Sequence, residues 1–312
     1  MPYAIDPELV AMLPTLPLFD LGNIAKVRAE LTELAAALAQ PDTTGVQIFA
    51  ELIPGASGDP DVPIRIYRPD QVAATAAVYL VHGGGFVVGD LESSHARSVE
   101  LCRELGVVVV SVDYRLAPET PFPGPLEDVY AGLVWLAGHA GELGVDPQRI
   151  AIHGTSAGGG LCAGLALLAR DRGGPHIAFQ YLAIPEVDDR LMTQSMTDFT
   201  DTPLWNRPNA VISWDAYLGV GVRGTGDVSS YAAPARESDL SGLPPAYVSV
   251  MHFDPLRDEG IAYALALLAA GVTVELHLFP GTFHGSALLP EAGISQRERA
   301  EEVLVLSRGL HL

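Results

Sequence analysis

The feature that most constrains this chain is a series of short, nearly uninterrupted apolar runs. Residues 76–81 (Ala-Ala-Val-Tyr-Leu-Val), 107–112 (Val-Val-Val-Val-Ser-Val), 149–152 and 177–184 are of this kind. A strand with one face in water alternates polar and apolar residues, whereas a strand covered on both faces does not. Helical segments at 94–105, 126–140 and 157–171 separate the runs. This alternation predicts a parallel sheet with helices on both faces. Two further strands are expected at 245–251 and 272–279, with helix 258–270 between them and helix 296–308 closing the pattern.

The first third reads differently. Residues 45–53 and 63–69 alternate like strands, and Gly55, Gly58, Asp59 and Pro60 between them predict a hairpin or meander. Residues 6–17 and 22–40 carry helical spacing. In the second segment Ile24, Val27, Leu31, Leu34 and Leu38 recur at three- and four-residue steps, while Pro14 and Pro17 interrupt the first. Residues 186–222 break the βα alternation and hold Asp188, Asp189, Pro203, Trp205, Pro208 and Trp214. An insertion of that length in an α/β protein is expected to be a lid or substrate-binding element.

Charge excludes several function classes. Among 312 residues, 38 acidic groups stand against 18 basic ones, for a net charge of −20. Nucleic-acid binding needs basic patches, and an anionic membrane surface would repel such a chain. With 48% apolar residues it is nonetheless a globular protein rather than an acidic disordered tail. Lys26 is the sole lysine, a bias that both high-salt adaptation and a GC-rich genome produce. Cys102 and Cys162 lie in apolar helical contexts and read as buried free thiols, with no metal-binding spacing. No positive charge precedes Lys26, which argues against a secretory signal and for a cytoplasmic location. The longest apolar stretch, near 261–272, is too short for a membrane span.

Chemistry enters at residues 153–160, His-Gly-Thr-Ser-Ala-Gly-Gly-Gly, between an apolar strand and an apolar helix. Gly-x-Ser-x-Gly in that context is a nucleophile elbow, a strained turn that presents Ser156 at the carboxyl edge of the sheet. Gly154 and Gly158 leave room where strand and helix backbones meet, and the helix N-terminus favours developing negative charge. The strand at 76–81 runs into His82-Gly83-Gly84-Gly85-Phe86. Unobstructed N–H groups on such a loop suit a tetrahedral oxyanion, which nominates Gly84, Gly85 and Ala157 as donors. A phosphate cradle does not fit, because no Gly-x-Gly-x-x-Gly or Gly-Lys-Ser/Thr pattern follows. His82 is expected to orient the loop backbone.

Nine histidines compete to be the base. His95, His139, His176 and His311 carry no motif, His153 would pack under the elbow, and His277 lies on a strand with Thr273 and Glu275. His284, in Pro-Gly-Thr-Phe-His-Gly after the last strand, sits on a loop that can reach Ser156. The acid should fall between them in chain order. Asp254, before Pro255 at the end of strand 245–251, is favoured; Asp188 and Asp189 are its rivals. Asp258 and Glu259 begin a helix, where an acidic residue favours the dipole.

These motifs resemble the hormone-sensitive-lipase-like family of bacterial carboxylesterases over nearly the whole chain. Its marks are His82-Gly83-Gly84-Gly85-Phe86, Asp113 to Glu119 with Pro121-Phe122-Pro123, the Ser156 elbow, Asp254 to Asp258, and His284-Gly285. The resemblance implies an α/β-hydrolase fold: a mostly parallel eight-stranded sheet, helices on both faces and a helical cap. It implies N-terminal cap helices at 1–40, a cap insertion at 186–222, and a catalytic domain formed by 41–185 and 223–312. It further implies hydrolysis of short- to medium-chain esters with no cofactor and no metal, and a homodimer paired through about 272–279 and 296–308. Thr155 stands where aspartate is usual, which resembles the subfamily with threonine before the serine, and His252 stands where glutamate is frequent. Residues 114–123 are expected to buttress the oxyanion loop. Bulky groups of the insertion, Leu204, Trp205, Ile212 and Trp214, are expected to line an acyl pocket. Fold and triad alone do not set the leaving group, so an amidase, a lactonase, a deacetylase and a non-catalytic ligand-binding relative remain as alternatives.

Overall fold

A computed structural model describes residues 3–17, 19–37, 40–70 and 75–312. Its centre is one eight-stranded sheet in the order β1-β2-β4-β3-β5-β6-β7-β8. The strands are β1 (Val46–Ile53), β2 (Val62–Pro69), β3 (Ala77–Val81), β4 (Val108–Val112), β5 (Ile150–Thr155), β6 (Phe179–Ala183), β7 (Ala246–Phe253) and β8 (Val274–Phe283). β1 and β2 form the expected antiparallel pair, and β2 meets β4 antiparallel. Every other pairing is parallel. The apolar runs behave as their composition requires: β3, β4 and β6 are buried at every residue.

Helices cover both faces. On one side α4 (Gly124–Gly138), α6 (Ala157–Arg172) and α9 (Arg257–Ala269) contribute Val129, Leu133, Leu161, Leu165 and Leu267 to the larger core. On the other, α3 (His95–Leu105) and α10 (Gly293–Gly309) contribute Val99, Cys102, Val305 and Leu306. Both cysteines are free and buried, and burial pushes the Cys102 thiol up to about 12. A short helix, α5 (Ala140–Leu143), follows α4. Among the described residues no helix is long and apolar enough to cross a membrane.

The sheet order determines where chemistry can occur. β3 lies between β4 and β5, so the chain leaves β3 toward one edge and later returns to its other side. At such a reversal the loops leaving the two neighbouring strands diverge and open a crevice at their carboxyl ends. Register pairs Val81 with Gly154, which sets residues 82–86 beside the turn at 155–157.

The N-terminal segment and the stretch after β6 meet above that crevice. The N-terminal helices are α1 (Pro7–Met12) and α2 (Ile24–Ala37); Pro14 falls in a 3₁₀ turn after α1, and Leu38 lies outside the described residues. The later stretch holds α7 (Gln194–Asp198) and α8 (Arg207–Leu218) and reaches Pro245 without a strand, farther than the 186–222 pattern marks. Asn209 of α8 joins the two segments: its Oδ1 accepts from Leu21 N–H at 3.1 Å, and its Nδ2 donates to Phe19 O at 2.7 Å.

The segment after β4 is held by a buried carboxylate. Asp128 on α4 is fully buried and accepts from Arg115 Nε at 2.8 Å, Nη2 at 2.7 Å and backbone N at 2.9 Å. Removing one partner of such a pair strands the other charge. Asp128→Ala should therefore cost roughly 3 kcal/mol in chemical denaturation, at the low end of that range because Arg115 is partly exposed. Lys26→Ala, at the exposed pair with Glu30, should change stability little. Similar shifts for both variants would contradict this account.

Candidate active site

Ser156 joins β5 to α6 with φ 57° and ψ −122°, a strained backbone for a residue with a side chain. The turn is possible because of close backbone contacts that only glycine permits. A Cβ on Gly154 would lie 2.1 Å from Gly158 O, and one on Gly158 would lie 2.2 Å from Val81 O. The Ser156 N–H donates to Ala183 O at 2.8 Å, which ties the turn to the end of β6.

Three strand ends bring the polar groups together. His284 directly follows β8, and its Nε2 lies 2.9 Å from Ser156 Oγ. Its Nδ1 lies 2.8 Å from Oδ2 of Asp254, which directly follows β7. The second oxygen of Asp254 accepts from Leu256 N–H at 2.8 Å. Asp254 is fully buried, and Ser156 and His284 are each only 6% exposed. With Nδ1–H donating to the carboxylate, Nε2 is left as the acceptor facing the hydroxyl.

The loop after β3 faces the same serine. The ideal Cβ position of Gly83 is 3.4 Å from Ser156 Cβ. Gly84 adopts φ +124°, and a Cβ there would meet Val88 O at 2.1 Å. Its carbonyl accepts from Val87 and Val88 N–H, curling the loop back on itself. Among the described residues, the N–H groups of Gly84, Gly85 and Ala157 have no acceptor within the protein. They are therefore unspent donors beside Ser156. Residues 114–119 brace the loop: Tyr114 Oη donates to His82 O at 2.9 Å, and Ala117 N–H to Phe86 O at 2.9 Å. Arg28 of α2 reaches Val87 O and Ala117 O, a brace from the N-terminal segment that the sequence does not signal. His82 stacks on Tyr114 at 4.2 Å and donates from Nδ1 to Gly83 O at 2.8 Å.

The other candidates lie elsewhere. Asp188 pairs with Arg190, and Asp189 with Arg236 and Gly224 N–H. His277 pairs with Glu301 on α10, and His95 with Tyr67. His153 stacks on Tyr181 below the elbow and binds Glu302 at 2.7 Å. Burial alone would raise the Glu302 carboxyl, but His153 and Arg97 hold it down at about 2. Asp258 caps Ser195 N–H and pairs with Arg257.

A cleft of about 390 Å³ opens over Ser156 and His284. Phe19, Leu31, Leu204, Trp205 and Leu288 are among its apolar lining residues, and His153, Arg97 and Glu298 also line it. The expected wall from the insertion needs correction. Leu204 and Trp205 line the cleft, whereas Ile212 and Trp214 do not. Trp214 is fully buried against Phe86 at 5.4 Å, and Ile212 packs on the main core. Trp214 thus carries α8 against the loop after β3 and supports it through Phe86. Arg97 and Glu298 carry no signal in the sequence, because they come from α3 and α10 and share no motif.

The chain is similar to known esterases over nearly its whole length. Residues 78–288 match the family described by the alpha/beta hydrolase fold. The carboxylesterase NlhH of Mycobacterium tuberculosis is 40% identical, covering 98% of this chain and 97% of its own. Among solved structures, one named a bacterial heroin esterase is 54% identical with a TM-score of 0.96, covering 98% of each chain. The esterase LipW from Mycobacterium marinum is 38% identical with a TM-score of 0.86, covering 99% of this chain and 97% of its own.

The buried loop histidine gives a pH signature. Burial pushes His82 from 6.5 down to about 4, against the opposing pull of the Gly83 carbonyl. The unfolded ring takes up its proton near 6.5 and the folded ring only near 4. Its contribution is thus complete above the unfolded value and is lost as pH falls through that window, by about 3 kcal/mol. His82→Asn should be less stable at neutral pH but show a flatter decline in unfolding free energy between those values. Equal slopes for the two proteins would contradict the burial argument.

Proposed function

The chain belongs to the alpha/beta hydrolase family, in its hormone-sensitive-lipase-like branch of bacterial carboxylesterases, and from that premise we propose how its own residues carry the reaction. The protein is a carboxylic ester hydrolase. Ser156 Oγ attacks the ester carbonyl while His284 Nε2 takes its proton. Asp254 holds the imidazole tautomer and stabilises the imidazolium that forms. Gly84, Gly85 and Ala157 donate N–H groups to the oxyanion. His284 then protonates the leaving alcohol, and water, activated by the same imidazole, releases the acid from Ser156. The observation that supports these assignments is the continuous chain Ser156–His284–Asp254, at 2.9 and 2.8 Å, beside three N–H groups without acceptors among the described residues.

The substrates are short- to medium-chain esters. α1 and α2 (within 1–40) and the insertion 186–222 act as the cap, over a catalytic domain of 41–185 and 223–312. Phe19, Leu31, Leu204 and Trp205 close the apolar part of the cleft. Each methylene buried there gains about 0.8 kcal/mol until the space is full, after which overpacking opposes binding. The enzyme acts in the cytoplasm. It pairs as a homodimer through the edge strand β8 and α10, where Leu276, Leu278 and Leu304 are exposed; a monomer in sedimentation equilibrium would remove that part.

The test is a p-nitrophenyl ester series with site variants. Activity should rise from acetate to about butyrate or hexanoate and fall steeply by dodecanoate, as a filled pocket requires. Ser156→Ala and His284→Ala should each lower kcat on the order of 10⁴- to 10⁶-fold, and the double variant should lose little more. Preference for long-chain triglyceride emulsions would overturn the chain-length reading, and an active His284→Ala would overturn the assignment of the base.

A further inference from the structure

Glu186 follows β6 and Pro185 and is fully buried. Its N–H donates to Ser156 O at 3.1 Å, so its backbone belongs to the support of the nucleophile turn. Its side chain meets a different partner. Oε1 lies 3.0 Å from Ser213 Oγ on α8, and Oε2 has no partner among the described residues. Ser213 is also fully buried, and the same Oγ lies 2.9 Å from Gly85 O.

A proton count decides how these three groups are arranged. A hydroxyl carries one hydrogen and cannot donate to two acceptors at once. If Glu186 were a carboxylate, Ser213 would face two acceptors, and either the Gly85 carbonyl or a buried charge would lack a donor. Both alternatives are costly away from water. The set closes when Glu186 keeps its own proton: Glu186 O–H donates to Ser213 Oγ, and Ser213 O–H donates to Gly85 O.

The surroundings favour that state. The titratable groups that act on Glu186 are Asp254 after β7, Glu259 on α9 and Tyr114 after β4, all of them acids. Burial and the Asp254 charge push the Glu186 carboxyl up to about 8, against the pull of the Ser213 hydrogen bond.

We propose that Glu186 and Ser213 form a positioning relay that fixes the oxyanion loop through Gly85, and that the relay holds only while Glu186 carries its proton. Gly85 has φ +56° and no side chain to anchor it, so its carbonyl is a handle by which the loop can be oriented. When Glu186 ionises, Ser213 turns toward the carboxylate and Gly85 O loses its donor. Oxyanion stabilisation weakens in the transition state more than substrate binding does in the ground state. Neither residue touches the reacting atoms. The inference rests on Gly84 and Gly85 being oxyanion donors.

The experiment measures kcat and KM for p-nitrophenyl butyrate from about pH 6 to about pH 10, around the expected ionisation. It compares the wild type with Glu186→Gln, Glu186→Leu, Ser213→Ala, Glu259→Gln and Ser156→Ala, with near-ultraviolet circular dichroism to verify folding. The wild type should lose roughly tenfold in kcat above about pH 8, with KM within about threefold. In Glu186→Gln the amide donates to Ser213 at every pH, so the alkaline loss should disappear and neutral kcat should stay within about threefold. Glu186→Leu and Ser213→Ala should lower neutral kcat by roughly 10- to 100-fold with little change in KM, less than loss of an oxyanion donor itself. Glu259→Gln should keep the alkaline limb. The relay is overturned if Glu186→Gln retains the wild-type limb or if Ser213→Ala matches the wild type. Where Glu186→Leu does not fold, those two variants still decide. An active Ser156→Ala would instead overturn the site assignment itself, so the two failures are separable.

Discussion

The structure depends on the approach of α6 to the end of β3. Gly158, in the first turn of that helix, sits so close to Val81 O and His82 O that no side chain fits between them. That contact locks the turn holding Ser156 against the loop holding Gly84 and Gly85. The parallel register of β3 with β5 sets both at the same height, and the order reversal in the sheet keeps the space above them open. Strain at Ser156 is tolerated because this surrounding backbone over-determines it. Ser156 and the proposed oxyanion donors therefore share one junction, which is what electrostatic preorganisation requires.

Electrostatics is managed by burying acids in distinct states. A chain of net charge −20 places Asp254, Glu186 and Glu259 near one another, and among the described residues no lysine or arginine is paired to any of the three. Three carboxylates so close in a dry interior would repel strongly. Burial instead drives Glu186 up to about 8 and Glu259 well above its usual range, whereas Asp254 meets His284 Nδ1 and Leu256 N–H. On the opposite face of the sheet Glu302 is kept charged by Arg97 and His153. The same side-chain type is neutral or ionised according to the donors around it.

Much of this was legible in the residues. Strands buried on both faces cannot alternate, so β3, β4 and β6 stood out as apolar runs. Their ends, with chain order, pointed to Ser156, Asp254 and His284, which meet at the crevice because the carboxyl termini of β5, β7 and β8 open onto it. The wall of the cleft was not legible. Ala210, Val211, Ile212, Trp214 and Tyr217 cover several sides of α8, so no single apolar face shows which side meets the cavity. Trp214 and Ile212 turned inward to the loop and core, while Trp205, just before the helix, turned to the cleft. Glu186 was invisible for a different reason: nothing in an acidic residue after a proline distinguishes a buried neutral carboxyl from a solvated one. Arg28 likewise gains its role only when α2 docks beside Val87.

The central claim is that Ser156 forms a covalent acyl-enzyme in this junction. It is tested most directly by trapping: a p-nitrophenyl alkylphosphonate is added to the native enzyme, and the adduct is mapped by peptide mass spectrometry. One stoichiometric adduct on the peptide carrying Ser156, with complete loss of esterase activity, is the predicted result. Full inactivation with the label on another residue, or continued turnover by enzyme fully labelled at Ser156, would contradict it.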